Sequence, residues 1–142
     1  MIKNIISACC MSVSISLMTL PYGVPTYWLN PDGPPHVFYY SYFSDIPPFA
    51  GLNFFPIITA LISIGVLIRF LVSIIINIVK RNKDSKPGKP TYVFLGTCLG
   101  ASLLSWILFG ALSLLSVVIF LLHATVFILQ YVRKKSDAVL VN

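Results

Sequence analysis

The segment from Tyr92 to Val132 places the strongest constraint on the fold of this chain, because its 41 residues contain no charged side chain. As a single helix it would be about 60 Å long, at ~1.5 Å per residue. The hydrocarbon core of a bilayer is only about 30 Å thick. The segment is therefore predicted to cross a membrane twice, with a break near Phe109-Gly110-Ala111, where glycine relaxes the helix.

Composition and charge also favour a membrane protein. Hydrophobic residues make up 57% of the chain and charged residues only 10%, against about 25% charged residues in an ordinary soluble domain. Nine of the ten basic residues lie in three clusters beside the ends of apolar runs: Lys3; Lys80, Arg81, Lys83, Lys86 and Lys89; and Arg133, Lys134 and Lys135. This pattern follows the positive-inside rule, so it predicts a cytoplasmic face and no binding of nucleic acid.

These boundaries predict an all-α membrane protein, a single domain built as a bundle of four transmembrane helices. The predicted spans are residues 2–20, 52–79, 92–109 and 112–132, with an extracytoplasmic loop at 21–51, a cytoplasmic loop at 80–91 and a cytoplasmic tail at 133–142. Both termini are then cytoplasmic, and the expected location is the plasma membrane. The first span is expected to be retained, because no A-x-A-like cleavage site follows it.

The loop between the first two spans contains seven prolines and nine aromatic residues, but no Lys or Arg. Repeated proline disfavours a long helix or a central strand, and aromatic rings suit the membrane–water interface. We expect an ordered cap with a turn at Asn30-Pro31-Asp32-Gly33-Pro34. Asp32, His36 and Asp45 lack the spacing of a metal site, so neither a metal nor another cofactor is predicted.

Small residues mark one face of two spans. The first span has Ala8, Ser12 and Ser16 at every fourth position, and the third contains the G-x-x-x-G of Gly96 and Gly100. Small side chains let two helix backbones approach closely, which favours helix association where lipid supplies no hydrophobic force. The pattern predicts that span one packs on span three.

Polar side chains form two stripes within the apolar spans. The second span carries Arg69, Ser73 and Asn77 at intervals of four residues, and the fourth carries His123 and Gln130 seven residues apart. When both spans are counted from their cytoplasmic ends, Arg69 is level with His123 and Asn77 is level with Gln130. The two stripes therefore predict one intramembrane binding surface, the polar seam, with Arg69 and His123 near the midplane.

Arg69 needs a partner, because an unpaired Arg at the membrane centre costs about 2.5–3.5 kcal/mol and no span contains Asp or Glu. Four partners remain open: polar groups within the bundle, an acidic residue of another protein, an anionic lipid phosphate, or the inner interface reached by snorkelling. His123 is expected to form hydrogen bonds in the core, with proton or ligand handling as the alternative.

Together these features predict a non-catalytic accessory or interaction subunit, of assembly, regulatory or immunity type, that binds a membrane-protein partner or forms a homo-oligomer. The alternative is an oligomeric carrier or pore for small solutes or lipid-linked anions that uses the polar seam. No enzymatic activity is predicted, because the spans offer one His, no carboxylate and no nucleophile–base pair at helical spacing. The basic cytoplasmic face is expected to attract anionic lipids.

Overall fold

The computed structural model describes residues 2–28, 30–44, 53–79 and 89–139, with the backbone alone at 28, 89 and 133–139. The helices and strands of this part of the chain are α1 (Ile2–Met18), β1 (Val24–Trp28), β2 (His36–Tyr40), α2 (Phe55–Val79), α3 (Lys89–Phe109) and α4 (Leu114–Val139). Several residues named in the sequence predictions lie outside it: Asp45, Lys80, Arg81, Lys83 and Lys86.

The helices follow the apolar runs of the sequence, and the prediction of four helices is confirmed. Phe55–Val79, Pro90–Phe109 and Leu114–Val132 are long and apolar enough to cross a membrane, whereas α1 is apolar but shorter, at 17 residues. The uncharged 41-residue segment is broken between α3 and α4, where Gly110 has a φ of 60°. Only glycine adopts this left-handed conformation without steric cost, so Gly110 allows the chain to reverse there.

The four helices pack as a square in which α1 and α3 each contact both α2 and α4. α1 and α3 therefore lie on a diagonal, and the prediction that they pack on each other is wrong. Gly96 and Gly100 face open space, where an added side-chain carbon would meet no atom within 4 Å. Ser12 and Ser16 are exposed, and of the predicted α1 stripe only Ala8 is buried.

Two apolar clusters hold the bundle together, one towards each end. The inner cluster contains Ala8, Met11, Val66, Phe70, Leu95 and Val126. The outer cluster contains Met18, Val24, Tyr42, Ala60, Ala111 and Ile119. All four helices contribute to the inner cluster, whereas the outer cluster includes residues of the loop between α1 and α2. That loop is therefore packed into the fold.

The loop contains a β-hairpin, which the sequence analysis did not predict. β1 and β2 pair antiparallel from Val24 opposite Tyr40 to Trp28 opposite His36. The predicted turn joins them, and Asn30 accepts hydrogen bonds there from the backbone N–H groups of Asp32 and Gly33. A two-stranded sheet has only edge strands, where proline is tolerated, so the proline of β1 does not prevent pairing.

The hairpin is fixed to the end of the bundle at two points. The Tyr42 N–H donates to the carbonyl of Met18 at 3.0 Å, and the Ser113 hydroxyl donates to the carbonyl of Gly23 at 2.8 Å. An added side-chain carbon at Gly23 would lie 2.8 Å from the Tyr42 ring, so this close approach requires glycine. Burial raises the pKa of Tyr42 above its ordinary value, and the phenol therefore stays neutral at physiological pH.

Candidate functional site: polar side chains inside the bundle

The centre of the bundle contains a hydrogen bond between α2 and α4. The Ser63 hydroxyl lies 2.9 Å from Nε2 of His123 and donates to the carbonyl of Thr59 at 2.6 Å. The thiol of Cys98, on α3, lies 3.8 Å from the same hydroxyl. All four side chains have an exposed fraction of 0%, so His123 is a fully enclosed imidazole held by a serine of the facing helix.

Two further polar pairs tie α1 to its neighbours nearer the other end of the bundle. The Asn4 side chain donates to the Ser73 hydroxyl at 2.9 Å, and the Gln130 side chain donates to the Ser7 hydroxyl at 2.8 Å. All four side chains are buried. Such bonds between buried polar groups add specificity to the packing of apolar helices, where each contributes roughly 0.6–2 kcal/mol.

These pairs fix the register of the helices independently of their ends. Asn4 of α1 lies opposite Ser73 of α2, and Ser7 of α1 lies opposite Gln130 of α4. Counted through α1, each residue of α4 is therefore level with the α2 residue whose number is 60 lower. The direct bond between Ser63 and His123 has the same separation of 60. Two independent routes therefore give one alignment, and every buried polar residue can be assigned a level along the bundle axis.

The register separates Arg69 from His123, which corrects the predicted polar seam. His123 is level with Ser63, and Arg69 lies six residues further along α2, about 9 Å at ~1.5 Å per residue. Arg69 is instead level with the residue before Gln130. Of the predicted seam, Ser73 and Gln130 are buried and bonded to α1, whereas Arg69 and Asn77 are half-buried.

The α3–α4 pair has the same regularity. Tyr92 donates to the carbonyl of Gln130 at 2.9 Å, and the Trp106 indole N–H donates to the Ser116 hydroxyl at 3.1 Å. The two contacts are fourteen residues apart on both helices, so the register is constant along the pair. At the end of the bundle near the hairpin, Asn53 donates to the Ser105 hydroxyl at 2.9 Å.

Several buried polar atoms have no hydrogen-bond partner within the described parts of the chain. They are Ser14 Oγ, Arg69 Nε, Thr91 Oγ1, His123 Nδ1 and Gln130 Oε1. Buried polar groups are nearly always bonded in native proteins, and inside a membrane such groups mark sites of interaction or transport. The unpartnered atoms are therefore the candidate binding positions of the bundle core.

The serines and the asparagine that complete these pairs were not predicted from the sequence. Isolated small polar residues such as Asn4, Ser7 and Ser63 are common in membrane helices, so each of them alone is a weak signal. The signal that could have found them is spacing: Ser7 and Ser14 on α1 are seven apart, as are His123 and Gln130 on α4. Matching intervals on two helices indicate facing polar positions.

The outer surface of the bundle is apolar, and two parts of it stand out. The G-x-x-x-G face of α3 is open, as described above, and the hairpin exposes a set of aromatic side chains. They are Tyr22, Tyr27, Phe38, Tyr39 and Phe43, each at least 36% exposed. Rings of this kind suit a membrane–water interface or a protein partner.

Neither a metal-binding group in the described residues nor a similar protein indicates a function for this chain. Within residues 2–28, 30–44, 53–79 and 89–139, no cluster of three or more His, Cys, Asp or Glu side chains could hold a metal ion. Comparisons with protein-family models, curated proteins and solved structures found no match to this chain.

Proposed function

We propose that this chain is a non-catalytic, four-span protein of the plasma membrane that acts by associating with other membrane helices. The observation that carries the proposal is the outward G-x-x-x-G of α3. Gly96 and Gly100 leave room for a second helix backbone, and the helices of this chain do not fill that room. Close backbone approach at such motifs is a common mode of helix association in membranes.

The test is to fill this face. In the double variant Gly96→Leu, Gly100→Leu the bundle is expected to keep its fold, because a side-chain carbon added at either position meets no described atom within 4 Å. Association should be lost, because two leucines hold a second backbone away. Purification in lipid nanodiscs with native mass spectrometry measures the bound partner or homo-oligomer, and circular dichroism measures helix content.

Thr125→Leu is the control, because it places the same leucine side chain at an exposed position of α4. It should leave association unchanged. If the double variant retains its partner at the wild-type ratio, the α3 face is not the interaction surface. A partner of defined stoichiometry supports an accessory subunit.

The second candidate function is an oligomeric carrier or pore. It is favoured by the buried polar pairs Asn4–Ser73, Ser7–Gln130, Ser63–His123 and Asn53–Ser105, which follow one another along the bundle axis. The same purification distinguishes the two functions, because a homo-oligomer that binds no other protein but retains anionic lipid favours the carrier.

Three basic residues near one level of the bundle support the cytoplasmic end of the four-span proposal. The contacts of Gln130 with Ser7 and Tyr92 set one level on α1, α3 and α4. Three or four residues from that level, towards the same end of the bundle, each of these helices has a basic residue: Lys3, Lys89 and Arg133. Basic residues at one level of the backbone are expected near the cytoplasmic headgroups. Arg69 is four residues from this level on α2, about 6 Å along the axis, within reach of lipid phosphate by snorkelling.

Arg69→Leu is therefore expected to reduce binding of anionic lipid. A basic residue near the surface contributes about 1 kcal/mol to binding of an anionic leaflet, or about fivefold in affinity. The measurement is the amount of phosphatidylglycerol retained in nanodiscs of mixed composition. Arg69→Lys keeps the charge and should retain most of the lipid, whereas equal retention by Arg69→Leu would rule out lipid phosphate as the partner of Arg69.

A further inference from the structure

The level of the bundle that contains His123 has a small side chain on each of the other three helices. Ser63 of α2 and Cys98 of α3 lie there by direct contact. Ser14 of α1 lies there by register, because it is seven residues from Ser7 as His123 is seven residues from Gln130. All four are 0% exposed. Serine and cysteine are among the smallest polar side chains, so no large residue of the other three helices lies at this level by register or contact.

The hydrogen bonds determine which nitrogen of His123 carries the proton. The Ser63 hydroxyl has one proton, and it donates this proton to the Thr59 carbonyl. Ser63 Oγ can therefore only accept from Nε2 of His123. In the neutral imidazole, Nδ1 is then an unprotonated acceptor, and it has no partner within the described part of the chain.

Ser14 supplies a complementary group at the level of His123 on the neighbouring helix. α1 packs against α4, and the Ser14 hydroxyl is buried without a partner among the described residues. A hydroxyl donor and an imidazole acceptor therefore occupy the same level of neighbouring helices but are not bonded to each other. One small molecule that both accepts and donates hydrogen bonds would satisfy both atoms.

We propose that a single water molecule binds between Ser14 and His123 at the centre of the bundle. It accepts a hydrogen bond from the Ser14 hydroxyl and donates one to His123 Nδ1. Buried waters typically make two to four such bonds to groups that are otherwise unsatisfied. The site completes a hydrogen-bonded chain from Ser14 through the water, His123 and Ser63 to the Thr59 carbonyl, and so links α1 to α2 through α4.

The test is water-edited solid-state NMR of the full chain in lipid bilayers, with ¹⁵N-labelled histidine. His36→Gln removes the second histidine, which lies exposed in β2. His123 should show one protonated and one unprotonated ring nitrogen at neutral pH, and water should transfer magnetisation to the ring. Ser14→Val, which removes the hydroxyl and fills the space, should abolish this transfer.

Ser12→Val is the matched control, because Ser12 is exposed on the same helix, and it should retain the transfer. Ser14→Ala keeps the site open if the valine variant does not fold, and it should weaken the transfer and shift the Nδ1 resonance. Absence of transfer in the native chain, with a shift in Ser14→Ala, would show a direct Ser14–His123 bond and overturn the proposal. Retention of the full signal in folded Ser14→Val would overturn it as well.

Discussion

Replacing Phe70 with alanine is expected to lower the free energy of unfolding by about 3–5 kcal/mol, the usual range for a fully buried Phe. Phe70 is 0% exposed and belongs to the inner apolar cluster, where Met11, Leu95 and Val126 of the other three helices surround it. Its removal leaves a cavity that all four helices line. Unfolding of the purified protein in mixed micelles, followed by circular dichroism against denaturant, measures the loss.

Phe94→Ala is the control, because Phe94 is 39% exposed on α3 and lies outside both clusters. Truncation of an exposed side chain should change the stability by less than about 1 kcal/mol. Equal losses at the two positions would mean that α2 does not present Phe70 to the centre of the bundle. The register derived from Ser63 and His123 would then be wrong as well, since both residues depend on the same rotation of α2.

The number of helices was predictable because it depends on length and charge alone. A run of 41 uncharged residues cannot remain one helix across a bilayer, and glycine at 110 was the place where it could turn. Neighbour relations between helices were not predictable in this way. Gly96 and Gly100 indicate where a helix can be approached closely, but not by which helix. The chain instead buries Leu95 and Cys98 of α3 and leaves the glycines outside.

The error in the polar seam has a similar cause. The prediction aligned the cytoplasmic ends of the second and fourth spans, which made Arg69 level with His123. The helix of α4 continues to Val139, and the side-chain pairs set it seven residues away from that alignment. The end of a helix is a poor marker of where its residues lie along the bundle axis, because each helix can extend beyond the others. Pairs such as Ser63–His123 are better markers, but they require the identity of the facing helices.

The hairpin was hidden by its proline content. The turn residues were recognised because Asn, Pro, Asp and Gly have strong local preferences. The strands were not, because seven prolines in the loop argue against a sheet whose strands need both neighbours. A hairpin held by tertiary contacts at Gly23 and Tyr42 needs pairing on one side only. Those contacts join residues far apart in the chain, which local sequence preferences do not encode.

Labelling with a membrane-impermeant maleimide is expected to divide single-cysteine variants into two all-or-none groups. Asp32→Cys in the hairpin turn and Leu112→Cys in the α3–α4 turn should react in intact cells. Ile2→Cys and Ser136→Cys should react only after permeabilisation. The background replaces Cys9, Cys10 and Cys98 with serine. The two labelling groups are expected because the basic residues near Lys3 and Arg133 lie at one end of the bundle and should remain cytoplasmic.

The comparison of Ile2→Cys with Asp32→Cys is decisive for α1, which at 17 residues is the shortest of the four helices. If both react in intact cells, α1 does not cross and the chain has three spans. Position 136 is the control, since three or four spans place it opposite position 32. A three-span arrangement would separate the start of α1 from the C-terminal ends of α2 and α4. It would then have to break both Asn4–Ser73 and Ser7–Gln130. The hydrogen bonds of the bundle therefore favour a short first span over a helix that lies on the surface.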